Sequence, residues 1–250
     1  MTASAESNGT TQTAHATQTV HTGQTARTAR SLSDAAVRVY GSGRSIWHLM
    51  NKYRPYICPF ELLIEQVPAG SRVLDVGCGT GLFLNLLHAE GRLNEEPGSS
   101  TGFDVSSDAV AVGKAAAEKS GHTGVSFVQW DAGDAWPTGA FDVVSIVDVM
   151  HHLPPSEWPK VIEQSAAALA PGGMLLYKDM CRKPLWRAAA NRGHDLVMAK
   201  QWIRYAPIDD VAGWCEAAGL AVETRGAASR LWYGHEWLVA RKPTDDGGAA

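Results

Sequence analysis

The sequence predicts an α/β protein: three layers around a seven-stranded sheet, mostly parallel, with an antiparallel last strand. Three observations lead there. Short apolar runs alternate with helix-patterned segments from about residue 71 onward, which is the signature of strands joined by crossover helices. Most of these runs end in glycines or an acid, where ligands sit in open parallel sheets. The final two runs are joined by too few residues for a crossover, so they must pair antiparallel.

The elements follow in order. Residues 1–30 hold nine Thr and six Ala but no Leu, Ile or Phe, so they read as a disordered tail without a secretory pattern. Residues 31–70 are expected to form lid helices ahead of the sheet. There Arg44, His48 and Lys52 share one face, Ile46, Trp47 and Met50 can pack, and Tyr53, Arg54 and Tyr56 follow. Ser71–Val76 is strand one and Thr80–Glu90 a helix. Thr101–Val105 is strand two, and Ser107–Lys119 is a helix capped by Ser106 or Ser107. Val125–Gln129 and Phe141–Val147 are strands three and four. Pro155–Leu169 is helical and is broken by Pro171-Gly172-Gly173 before a fifth strand, Met174–Tyr177. Ile208–Ala218 is a helix closed by Gly219, and Ala221–Arg225 and Leu231–Arg241 form the final pair. One domain over residues 31–242 is expected, with a core at 71–178, an insertion at 179–206, a C-terminal helix and strand pair at 207–242, and a loose tail at 243–250.

Composition narrows the function. The 250 residues carry a net charge of −4, a poor match to a general nucleic-acid binder. No apolar run approaches the roughly 20 residues of a membrane span. The four cysteines (Cys58, Cys78, Cys181, Cys215) form no CxxC pair, so they read as reduced thiols of a cytoplasmic protein rather than as a zinc site or disulfide framework.

The residues after the strands carry the chemistry. Strand one runs into Asp75-Val76-Gly77-Cys78-Gly79-Thr80-Gly81, a loop that lets backbone approach a ligand at a helix N-terminus. Its G-x-G-x-G spacing differs from the G-x-G-x-x-G of dinucleotide binders, which disfavours an NAD-dependent oxidoreductase. Strand two ends at Asp104, suited to ribose hydroxyls, strand three at Trp130-Asp131-Ala132, and strand four at Asp148-Val149-Met150-His151-His152.

Taken together, VLDVGCGTG, GFDVS, the WDA acid, FDVVSIVDVMHHLP and LAPGG resemble the class I S-adenosylmethionine (SAM)-dependent methyltransferases. The style is that of bacterial methyltransferase domains acting on small molecules and lipids. The resemblance implies a Rossmann-like fold and SAM as cofactor. It also implies backbone contact to SAM at Gly77, Gly79 and Gly81, with Asp75 toward the methionine amine and Asp104 on the ribose. Val105 would pack on the adenine, Asp131 and Ala132 would lie at its amino group, and Asp148 would be a cofactor-side group. The connection between Asp75 and Asp104 is lengthened by Gly91–Ser100, read as a surface loop.

Methyl transfer needs an in-line acceptor, and a base where the acceptor has a proton to lose. His151, His152 and Asp179 are the candidates for that base or its orientation. Between Tyr177 and Tyr205 lie seven basic and two acidic residues. With Arg182, Trp186, His194 and Trp202 this stretch reads as a basic, aromatic lid for an anionic, aromatic or carrier-bound acceptor, or as a peripheral membrane contact. His48 and Tyr53 are further acceptor-side candidates from the helices before the sheet. No trio of carboxylates and amide is evident at the strand ends, so no metal is expected. The functional expectation is a cytoplasmic methyltransferase for a small organic acceptor in specialised or lipid-like metabolism, with O, N or C as the methylated atom. The alternatives are a non-catalytic SAM-binding scaffold and a nucleic-acid methyltransferase. The latter is disfavoured because the position after strand four lacks an Asn/Asp-Pro-Pro-Tyr/Phe motif.

Overall fold

A computed structural model describes residues 27–130, 134–136, 141–181, 204–231 and 233–244. The sheet has seven strands in the order β3-β2-β1-β4-β5-β7-β6. These are β1 (Val73–Val76), β2 (Ser100–Asp104), β3 (Val125–Gln129), β4 (Phe141–Val147), β5 (Leu169–Met180), β6 (Ala221–Arg230) and β7 (Tyr233–Arg241). β1 to β5 are mutually parallel, and β7 is antiparallel to both neighbours. Strand order reverses at β1, between β2 and β4, which opens a crevice at the carboxyl ends there.

Helices cover both faces. α1 (Ala29–Tyr40), α3 (Phe60–Gln66), α4 (Leu82–Ala89) and α5 (Ser107–Lys119) pack in one apolar cluster, which includes Leu32, Ile64, Leu86 and Val143. α6 (Trp158–Ala168) and α7 (Ile208–Ala217) close the other face through Ile162, Val211 and Cys215 against Leu175 and Leu238. α2 (Ile46–Ile57) packs on α1 and reaches over the carboxyl ends of the strands.

Several expected boundaries move. The chain is ordered before residue 31: Thr28 caps α1 in a reciprocal capping box with Ser31, and Arg27 pairs with Glu90. α1 is a core helix rather than a lid, because Leu32, Ala35 and Ala36 are buried. The Pro171-Gly172-Gly173 stretch does not take the chain out of β5. Pairing jumps from Phe141↔Leu169 to Val143↔Met174, so the extra residues bulge, with Gly172 at φ 75°. β5 also runs on through Asp179 and Met180, which places Asp179 on the sheet and not in an insertion. Past residue 242 the chain is still held, since Gly172 N–H donates to the carbonyls of Lys242 and Pro243. On α2, Ile46 and Met50 stand exposed instead of packing, in line with Leu49, Tyr53 and Tyr56.

Candidate active site

The β1–α4 loop turns sharply because three glycines take left-handed backbone, with φ 64° at Gly77, 54° at Gly79 and 72° at Gly81. A side chain at Gly81 would strike the Phe127 ring at 2.2 Å, whereas one at Gly79 would meet nothing within 4 Å and would only fill open space. The end of β2 holds the loop in place: Gly79 N–H donates to Asp104 Oδ2 (2.8 Å) and Ser106 N–H to Asp104 Oδ1 (2.9 Å). From the other side, Tyr40 donates to the Thr80 carbonyl (2.8 Å) and Thr80 Oγ1 donates to Asn51 Oδ1 (2.6 Å). The cavity above this loop measures about 240 Å³ and is walled by Asp75, Gly79, Asp104, Asn51, Arg54 and Asp148, among others.

Two groups in this cavity lack what they need. Asp75 is 3% exposed, and burial, with Asp104 adding, pushes its carboxyl up to about 7 even though Ser145 donates to it at 2.6 Å. The amide Nδ2 of Asn51 is buried with no hydrogen-bond partner among the described residues. A ligand with a cationic amine and hydrogen-bond acceptors would satisfy both, and the ammonium and carboxylate of a methionine moiety have that chemistry.

A second group lies where β4 and β5 end. Asp148 adopts φ 58°, a left-handed conformation that costs a non-glycine residue about 1–3 kcal/mol. It is held there by its N–H to the Lys178 carbonyl (2.9 Å), and by Lys178 Nζ at 2.6 Å and Arg54 at 2.7 Å on its two carboxylate oxygens. Burial alone would raise the Asp148 carboxyl. Lys178 and Arg54 outweigh burial and hold the carboxyl well below the usual range. Lys178 itself is fully buried.

Beside this network, Asp179 Oδ1 lies 2.5 Å from His151 Nδ1, and Asp179 Oδ2 accepts the His151 N–H at 3.2 Å. His151 sits on a short 3₁₀ turn, Met150–His152, anchored by Trp158 Nε1–H to the Met150 carbonyl (2.7 Å). With Nδ1 committed to the carboxylate, Nε2 is the acceptor nitrogen of the neutral ring, a tautomer assigned from the partner. Burial works to lower the His151 pKa, but Asp179 and Asp148 lift it above the ordinary value. The His152 ring is 4.0 Å from that of His151. A smaller cavity of about 130 Å³ meets His151 and shares Arg54, Asp148 and His152 with the larger one.

Two carboxylates and a histidine do converge here, which the sequence did not lead us to expect: ligand atoms of Asp148, His151 and Asp179 lie within 4.8 Å of one another. Arg54 and Lys178 already bind Asp148, so the cluster is a network of ion pairs in which two positive charges stand where a cation would go.

Of the expected site residues that the structure describes, most fall into these two groups. Asp75, Gly77, Gly79, Asp104 and Asp148 wall the larger cavity, with Gly81 at the loop's end. Val105 is 63% exposed just past β2. His48 does not reach either cavity, because its Nδ1 is taken up by Ser45, the cap of its own helix. Tyr53 also points away, 52% exposed under the Lys52 amine. Asp131, Ala132, Arg182, Trp186, His194 and Trp202 lie outside the described residues. Asn51, Arg54, Lys178 and His235 were not among the expected site residues. The readable signal for Lys178 is a lysine inside an apolar strand. For Asn51 and Arg54 it is their three-residue spacing on one helix face.

This sheet order, glycine loop and set of acids define a class I SAM-dependent methyltransferase. A family model described as a methyltransferase domain matches residues 50–225, and the chain belongs to that family. It is 31% identical over 186 residues to a ubiquinone biosynthesis O-methyltransferase of Xanthomonas axonopodis pv. citri, spanning 70% of this chain and 73% of that one. Magnesium protoporphyrin IX methyltransferase from Synechocystis PCC 6803, solved with bound SAH, superposes with a TM-score of 0.59 at 20% identity, covering 84% of this chain and 93% of that one. The [4+2]-cyclase SpnF superposes with a TM-score of 0.60 at 20% identity, covering 89% of this chain and 100% of that one. At that identity the two structures speak for the fold alone, so the reaction must be argued from the site. Among the described residues, no helix is long and apolar enough to cross a membrane.

Proposed function

We propose that the enzyme methylates a hydroxyl oxygen of a small organic acceptor in specialised or lipid-like metabolism, with His151 as general base and Asp179 as its orienting group. The observation that carries this reading is the buried 2.5 Å pair of His151 and Asp179 beside a cavity that shares walls with the cofactor cavity. An oxygen acceptor is what such a pair serves, since a hydroxyl must lose a proton to become a good nucleophile. The O-methyltransferase names of the relatives point the same way.

SAM, when bound, supplies a methyl group made electrophilic by its sulfonium. Gly77, Gly79 and Gly81 offer close backbone approach, Asp75 the counter-charge for the methionine amine, and Asp104 the ribose contact. Arg54 stands ready for the carboxylate. Val105, Asp131 and Ala132 are assigned to the adenine. Asp148 acts on the cofactor side by fixing Arg54. His151 takes the acceptor proton on Nε2, and the resulting imidazolium is stabilised by Asp179. His152 lines both cavities and helps position the acceptor.

The test uses purified protein, SAM and a pooled extract of small metabolites, following SAH release and a product one methyl heavier. The reading predicts an O-methylated product whose formation collapses in His151→Ala while SAH still binds. Methyl found on nitrogen or carbon, or turnover indifferent to His151→Ala, overturns it.

A further inference from the structure

His235 has no role in the scheme above, yet its placement is unusual. It lies near the start of β7, paired in register with Met180 at the end of β5, and is 2% exposed. The Ile57 backbone carbonyl addresses the ring, and no side chain among the described residues hydrogen-bonds to either ring nitrogen. Burial, reinforced by the nearby Lys178, pushes its pKa down to about 3, so the ring is neutral and offers one donor and one acceptor. Buried polar atoms are normally satisfied, and those that are not mark a place where something else binds.

That place is the smaller cavity. His235 lines it together with His151, and Ile57, Cys58, Met180 and Tyr233 supply apolar wall. A cavity of about 150 Å³ is known to hold one benzene ring, so about 130 Å³ is the scale of a single ring, and the walls Arg54, Asp148 and His152 are shared with the larger cavity. The Tyr233 ring lies 6.2 Å from the His235 ring and near-parallel to it, which stiffens this wall.

We propose that this cavity seats a single-ring hydroxylated acceptor and that His235 recognises a second, uncharged hydroxyl or carbonyl on that ring. The inference rests on the O-methylation reading only for the side from which the reacting hydroxyl meets His151. His235 acts as a specificity residue: it neither takes the proton nor touches the cofactor. A ring without the second group leaves the imidazole unsatisfied and binds more weakly.

The experiment measures binding by calorimetry to the full chain saturated with SAH, with phenol and the three isomeric benzenediols as probes. At least one diol should bind about tenfold more tightly than phenol, the worth of one good hydrogen bond. His235→Phe should erase that preference, and His235→Gln, which keeps a donor and an acceptor, should retain most of it. SAH affinity should be the same in all three proteins. His235→Met repeats the test if the phenyl ring does not fit. Equal binding of phenol and all three diols to the unaltered protein overturns the inference, as does a diol preference that survives removal of the imidazole. Because binding and not turnover is read, a failure of His151 as base leaves this result standing. Turnover without a diol preference sinks His235 alone.

Discussion

The two ends of the site are built by different means. On the β1–β2 side, backbone does the work: left-handed glycines, N–H groups aimed at Asp104, and a buried acid, all within one loop and the strand beside it. On the β4–β5–β7 side, side chains distant in sequence do it: Arg54 to Asp148 across 94 positions, Lys178 to Asp148 across 30, and His151 to Asp179 across 28. The first side tolerates few shapes and suits one unchanging cofactor. The second is a set of ion pairs brought together by the fold, with Arg54 and Asp148 walling both cavities and His151 the smaller one.

The sharpest way to break this contrast is at the base. His151→Ala should lower turnover by about 10²–10⁴-fold with SAM affinity intact, read by SAH release and calorimetry. Asp179→Asn removes the charge that raises the His151 pKa. The rising limb of the rate against pH should therefore move to lower pH, and an unmoved limb would mean that His151 is not the titrating group.

Next in size is the ion-pair network. Asp148→Asn keeps a residue that tolerates φ 58° but strands the fully buried Lys178, at a cost on the order of 3 kcal/mol in a thermal or urea melt. Adding Lys178→Met should recover most of that loss. If Asp148→Asn melts like the parent, Lys178 is not committed to this partner.

On the cofactor side, Asp104→Ala should weaken SAM binding by about 1.5–3 kcal/mol, or roughly 10–150-fold, with little effect on acceptor-side stability. Unchanged affinity would remove Asp104 from the ribose and with it the division drawn above.

A pH-dependent prediction concerns Asp75. Its carboxyl is raised in the folded protein to about 7 from an unfolded value near 3.9. Between those values the folded form binds more protons, so stability falls as pH rises through that window. Asp75→Asn should flatten the fall and make the cofactor-free protein more stable than the parent at pH 8. In the parent, SAM binding near pH 6 should release protons as the ammonium stabilises the ionised acid. Calorimetry in buffers of different ionisation heat measures that release.

The local geometry of the glycine loop was largely legible in the sequence, because glycine spacing and the Ser106 cap act within a few residues, whereas the bond from Gly79 to Asp104 spans 25 positions. β3, β4 and α5 fall where the residue pattern puts them. The acceptor side was half legible. The strand ends pointed to Asp148, His151 and Asp179, but not to what each would meet. Nothing local says that Asp148 would face two cations, since one arrives from α2 and the other from the neighbouring strand. His48 went wrong for a related reason: Ser45, three residues before it, captures the ring at the helix start. The bulge at Gly172 escaped because Pro-Gly-Gly reads as a terminator, whereas hydrogen bonds with Lys242 and Pro243 hold it in β5, between β4 and β7.

One strand in this sheet runs backwards, and its direction decides which of its residues meet the smaller cavity. Because β7 is reversed, its first residues lie beside the last residues of β5, so Tyr233 and His235 reach the cavity end of the sheet while the rest of the strand stays under α7. The β6–β7 hairpin therefore joins two environments: β6 is a largely exposed edge strand, while β7 buries Leu238 and Ala240 and carries Tyr233 and His235 to the smaller cavity, on the far side of the sheet from the glycine loop's strand partner β2.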